Sequence, residues 1–146
     1  MRKNRVEFDD YYEESAMNKI LFRWVDRKKK SLAKKVFFKV QKGGGILDLG
    51  CGSCDITRRF ANAYTDASFH AVDGSAEMLN HASELNQKEN LSQKIKLIEA
   101  CLPKLELPQA IYHVLISNSL LHHLQNPFYL WETIQNYAKP YAHAFV

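Results

Sequence analysis

Apolar positions along the chain change their period near residue 45. Between 9 and 42 they recur at helical spacing. "YYEESAMNKILFRWV" places Tyr12, Met17, Ile20, Leu21, Trp24 and Val25 along one side, and Leu32, Val36, Phe37 and Val40 form a second stripe. This predicts two helices, the second ended by "QKGGG" (41–45). Beyond it, short apolar runs alternate with helical stretches. Strands are expected at 46–49 (ILDL), 69–72, 95–98, 112–117 and 143–146, and helices at about 54–64, 75–87 and 126–138. "ACLPKLELPQA", between the third and fourth strands, reads as a loop punctuated by Pro103 and Pro108.

Strand–helix alternation with apolar strands predicts an α/β fold, a Rossmann-like parallel sheet of about five strands with helices on both faces. Right-handed crossovers bring the segment after each strand to one edge, where such sheets bind ligands. Gly50–Asp55, Asp73–Ser75, Ala100–Pro103 and Asn118–His123 converge there. The expected organisation is an N-terminal helical cap (1–44) covering the cleft and a sheet domain (45–146).

With 46% hydrophobic and 25% charged residues, the composition is that of an ordinary globular protein. No apolar run approaches the roughly 20 residues of a membrane span, and the basic N-terminus lacks the apolar stretch of a secretory signal. Three cysteines, an odd number, argue against a disulfide framework, so a cytoplasmic chain with reduced thiols is expected. Charge changes this picture in one respect. Residues 1–45 carry 13 Lys/Arg against 6 Asp/Glu, including "DRKKKSLAKK" (26–35), whereas residues 46–146 carry 7 against 10. The basic half is compatible with a nucleic-acid partner. A solvated helix face explains it equally simply, and is favoured.

The chemistry concentrates in "ILDLGCGSCD" (46–55). A dinucleotide turn needs G-x-G-x-x-G, yet Asp55 stands where the third glycine belongs. Asp48 and Asp55 flank the turn with negative charge, which would repel a pyrophosphate and suit a cofactor with a cationic end. "LDLGCGSCD" resembles the first motif of the class I S-adenosylmethionine-dependent methyltransferases, and "HAVDGSAEML" (70–79) their second, with Asp73 placed 21 residues after Gly52. "YHVLISNSLLHHLQNPFYLWETI" (112–134) is similar to the fourth strand and following helix of small-molecule-type members, and "YAKPYAHAFV" to the lead into strand five.

The resemblance implies S-adenosylmethionine as cofactor and residues to hold it. Gly50 and Gly52, with Cys51 between them, would let the backbone approach the methionine portion. Asp48 would complement the positive end and Asp73 would accept from the ribose hydroxyls, with Gly74 beside it. Met78 would pack on the adenine, Ala100, Cys101 and Leu102 would line the cleft, and Asn118 would sit beside the cofactor. The chain departs from the family pattern at Cys54, at Cys101 where an acid commonly meets the adenine amino group, at the Tyr112–His113 pair, and at Tyr141–Ala142 in place of two glycines. Strands six and seven of the family are not expected within these residues, which would leave a sheet edge available for self-association.

Cys51 and Cys54 form C-G-S-C at an expected helix N-terminus, where a thiolate is stabilised. A redox site is opposed by the nearby carboxylates, and a zinc site lacks a fourth ligand even if Cys101 joins. No metal is expected. His122 and His123 are candidates to take a proton from a hydroxyl or amine acceptor. Tyr11, Tyr12 and Trp24 are candidates to touch the acceptor. Three function classes remain open: methyl transfer to a small molecule, a catalytically inactive methyltransferase-like binding protein, and an RNA or protein methyltransferase. "SNSL" lacks the Asn/Asp-Pro-Pro-aromatic signature of amino-group methylators of nucleic acid and protein, which favours the first.

Overall fold

The computed structural model of the protein describes residues 44–118 and 120–146. The expected cap helices, the basic run and the aromatic residues Tyr11, Tyr12 and Trp24 lie outside the described residues.

Five parallel strands form one sheet in the order β3-β2-β1-β4-β5. They are β1 (Gly45–Leu49), β2 (Ser68–Asp73), β3 (Ile95–Glu99), β4 (Tyr112–Ile116) and β5 (Ala138–Phe145), with α1 (Asp55–Ala63), α2 (Ala76–Lys88) and α3 (Phe128–Tyr137) between them. A 3-10 turn, Leu121–His123, precedes α3. The chain winds outward from β1 to β3, then returns to the other side of β1 for β4. That reversal puts a crevice between the carboxyl ends of β1 and β4.

Central β1 is buried on both faces. Ile46, Leu47 and Leu49 are at most 1% exposed, as a strand covered by two layers must be. Its side chains alternate. Leu47 and Leu49 pack with Val72, Leu115, Leu105 and, from α3, Leu130 and Tyr137. Ile46 and Asp48 face the other way, and the hydroxyl of Thr57 on α1 reaches Asp48. α1 and α2 share that second face. Glu89, at the end of α2, accepts from Arg58 Nε at 3.1 Å and from Asn62 Nδ2 at 2.9 Å. Gly45 N–H donates to His113 Nδ1 at 3.1 Å, tying the start of β1 to β4.

The fifth strand begins earlier than the pattern suggests, at Ala138 rather than 143. α3 passes into β5 with no residue between. Tyr112 pairs with Ala138 and Val114 with His143, so the intervening part of β5 bulges. Pro140, which has no N–H to donate, falls in this bulge, and Tyr141 there is 98% exposed with φ of 64°. A strand interrupted in this way has no clean alternation to read.

Candidate functional site

The segment after β1 is held by β2 as much as by itself. Gly50 N–H and Cys51 N–H both donate to the Val72 carbonyl, at 2.8 and 3.0 Å. Gly50, Gly52 and Cys54 all take left-handed backbone, with φ of 75°, 55° and 61°. Glycine suits the first two. At Gly50 the space is limited by the chain itself, because a Cβ there would lie 2.9 Å from Leu120 Cβ. The sequence suggested cofactor approach as the reason for this glycine; the structure adds a packing reason. Cys54 adopts the same conformation at a cost, as the residue preceding α1, and it is fully buried.

Two carboxylates close over this turn. Asp73, 7% exposed, accepts Gly52 N–H on Oδ2 at 2.8 Å and Ser75 N–H on Oδ1 at 2.9 Å. Each oxygen keeps a further lone pair for a ligand hydroxyl. Ser75, rather than Asp73, caps α2, its hydroxyl accepting from Met78 N–H at 3.3 Å. Asp48, 3% exposed, accepts the Thr57 hydroxyl at 2.6 Å. Burial pushes the Asp48 carboxyl up to about 6, the Thr57 hydrogen bond opposes this, and the Asp73 charge adds to it.

The Cys51 thiol is poorly suited to redox chemistry. Cys51 is raised by its hydrogen bond to Cys54, by burial, and by the Cys54, Asp48 and Asp73 charges. A protonated thiol is a weak nucleophile and a weak metal ligand. All three cysteines are free, and among the described residues no group of three His, Cys, Asp or Glu is arranged to hold a metal ion.

The other expected residues fall on the same sheet edge but differ in how closely they join the turn. Cys101 packs against Gly74, beside Asp73, where a Cβ on the glycine would meet Cys101 Sγ at 2.7 Å. Ala100 N–H donates to the Asp73 carbonyl at 3.0 Å, and Leu102 is half-buried against the core. Met78 and Asn118 are half-buried, in the first turn of α2 and just after β4. His122 and His123 are exposed, with ring centroids 4.0 Å apart, on the turn that follows Leu120.

Sequence reasoning missed three contributors. Thr57 and Leu120 act through contacts across the fold that no local motif signals. The third is Glu99, which ends β3 opposite Asp73 and lines a cavity of about 560 Å³ with Ala100, Pro103, Lys104, Leu105 and Glu106. Its position directly before Ala100 was the available signal.

A sequence family described as a methyltransferase domain matches residues 46–140, the span that holds this turn and the five strands apart from Gly45 and the part of β5 after Pro140. The chain belongs to that methyltransferase family. Among curated relatives, an uncharacterized methyltransferase of Schizosaccharomyces pombe is 29% identical over 106 residues, covering 69% of this chain and 38% of its own length. A malonyl-[acyl-carrier protein] O-methyltransferase of Halalkalibacterium halodurans is 30% identical over 100 residues, covering 65% of this chain and 35% of its own. The chain therefore spans little more than a third of these methyltransferases. The fold is that of a SAM-dependent methyltransferase from Aquifex aeolicus, with a TM-score of 0.68 at 24% identity, over 81% of this chain and 69% of that one.

Proposed function

We propose that this methyltransferase domain binds S-adenosylmethionine at the glycine turn and transfers its methyl group to a small-molecule acceptor. The observation that carries the reading is the charge of the turn. Two buried carboxylates flank it, and residues 44–57 contain no lysine or arginine. Such a site suits a ligand without phosphates, with a cationic end and hydroxyls to donate. When bound, S-adenosylmethionine supplies an electrophilic methyl group on a sulfonium.

The residues around that group would bind and orient it. Asp73, already fixed by two backbone N–H groups, presents its remaining lone pairs to the ribose hydroxyls. Asp48 faces the positive end, and Glu99 stands at the cavity beyond β3 as an acceptor for an amino group. His122 or His123 would take the proton released by a hydroxyl or amine acceptor. Holding donor and acceptor in line supplies much of the acceleration. The relative named for malonyl-[acyl-carrier protein] supports a small acyl acceptor over nucleic acid. Free thiols suit a reducing compartment, and we place the protein in the cytoplasm. No helix among the described residues is long and apolar enough to cross a membrane.

Calorimetric titration with S-adenosylmethionine and S-adenosylhomocysteine tests the reading. Binding is expected for both, weakened more than about tenfold by Asp73→Ala, since hydrogen bonds to a charged acceptor are each worth about 1.5 kcal/mol or more. A folded sample that binds neither ligand at millimolar concentration would instead be the inactive, partner-binding relative.

A further inference from the structure

The turn carries more negative charge than the described residues neutralise. Asp48 ends up among groups of known character. β2 and β4 present Ala71 and Ile116 beside it in register. The turn presents the Cys51 and Cys54 thiols. The end of β2 presents Asp73, each of whose oxygens accepts one backbone N–H. α1 presents the Thr57 hydroxyl, Asp55 and Arg58. That arginine is committed elsewhere, to the Ser53 carbonyl, Asp55 and Glu89. Among the described residues no cationic side chain pairs with Asp48 or Asp73. Among the described residues, a single hydroxyl on Oδ2 is therefore the support of a buried carboxylate beside a second acid.

We propose that Asp48 senses the methyl group by charge: it stays ionised against a sulfonium ligand and takes up a proton when the neutral thioether takes that ligand's place. The inference rests on the cofactor reading above. The two ligands differ by one unit of positive charge and are otherwise alike, including the α-ammonium and carboxylate, whose own titrations cancel in the comparison. Exchange is balanced by a proton count that approaches one below pH 6 and falls toward zero above it. Binding of the sulfonium releases to the buffer the proton that Asp48 holds, and binding of the thioether leaves it in place. Burial beside Asp73 sets the free carboxyl near pH 6, so the exchange falls in an accessible range. The consequence is a preference for the methylated ligand that grows as pH rises.

The test is calorimetry of the full chain with both ligands at about pH 5.5 and about pH 7.5, in buffers of contrasting ionisation enthalpy. S-adenosylmethionine should bind about fourfold more weakly at the lower pH, with proton release, because roughly three-quarters of the free Asp48 is then protonated. S-adenosylhomocysteine should change less than about twofold. In Asp48→Asn, S-adenosylmethionine should lose this pH dependence and S-adenosylhomocysteine should remain flat. A mutation-free readout is the carboxyl carbon shift of Asp48. It should titrate near the free value in the thioether complex and well below it in the sulfonium complex. Equal pH slopes for the two ligands, or equal Asp48 titrations in the two complexes, overturn the sensor while leaving the cofactor reading intact. Failure of both ligands to bind a folded sample overturns both.

Discussion

Thr57 and Asp48 meet through their side chains, hydroxyl to carboxylate at 2.6 Å, although one belongs to α1 and the other to β1. The bond ties the helix to the strand across the glycine turn. Removing it leaves a buried charge with no donor. Thr57→Val should destabilise the fold by about 2 kcal/mol, within the range for a hydrogen bond to a charged group. It should also push the Asp48 carboxyl higher, because the lost bond favoured its ionised form. Thr57→Ser should restore both. Chemical denaturation and carboxyl carbon titration check the pair of effects.

Asp48→Asn is expected to stabilise the free protein at neutral pH while weakening cofactor binding. The Asp48 carboxyl is raised from 3.8 to about 6, so its contribution is fully present below 3.8 and lost as pH rises through 6. The variant should gain on the wild type across that window, by on the order of 3 kcal/mol. His70 and His113 act in the opposite sense. Burial lowers both, with Lys96 and Lys139 adding to it, so their contribution stands above their unfolded value and is lost as pH falls through the lowered one. Thermal melts of both proteins between pH 4 and 8 isolate Asp48, since the histidine contribution is common to them.

Gly50→Ala should cost at least about 2 kcal/mol, from left-handed backbone and from overlap with Leu120. Only the overlap with Leu120 Cγ and Cδ1 should be recovered in the double variant Gly50→Ala with Leu120→Ala, because alanine keeps the Cβ; the Cβ contact and the backbone part should remain. A double-mutant cycle by denaturation separates them.

At Cys54 the comparison of two small residues isolates backbone strain. Cys54→Gly and Cys54→Ala both remove the buried thiol, and only glycine relieves the φ of 61°. The glycine variant should be the more stable of the two by about 1 kcal/mol. Neither should change zinc content, measured by atomic emission on the purified proteins.

The sheet was legible because its strands are apolar runs bounded by turn residues, and Ile46–Leu49, Phe69–Val72 and Ile95–Ile98 stand out against polar helices. β5 was read late because Lys139, Pro140 and Tyr141 break its pattern in the bulge. In the site, Asp48, Gly50, Gly52 and Asp73 were visible through spacing along the chain. Thr57 and Leu120 were not, because their roles depend on which helix face meets which strand and on where the return after β4 lands. Such contacts have no period in sequence.

Latching Gly50 and Cys51 onto the Val72 carbonyl, and Gly52 onto Asp73, has a consequence for assembly. The turn takes its shape from a strand that the ribosome makes some twenty residues later, so a peptide spanning residues 44 to 56 contains the motif without the shape. The cleft comes into being only as β1 and β2 zip together, and it is lost when they part. Recognition here is a property of a strand pair, and transplanting the loop alone would transplant nothing.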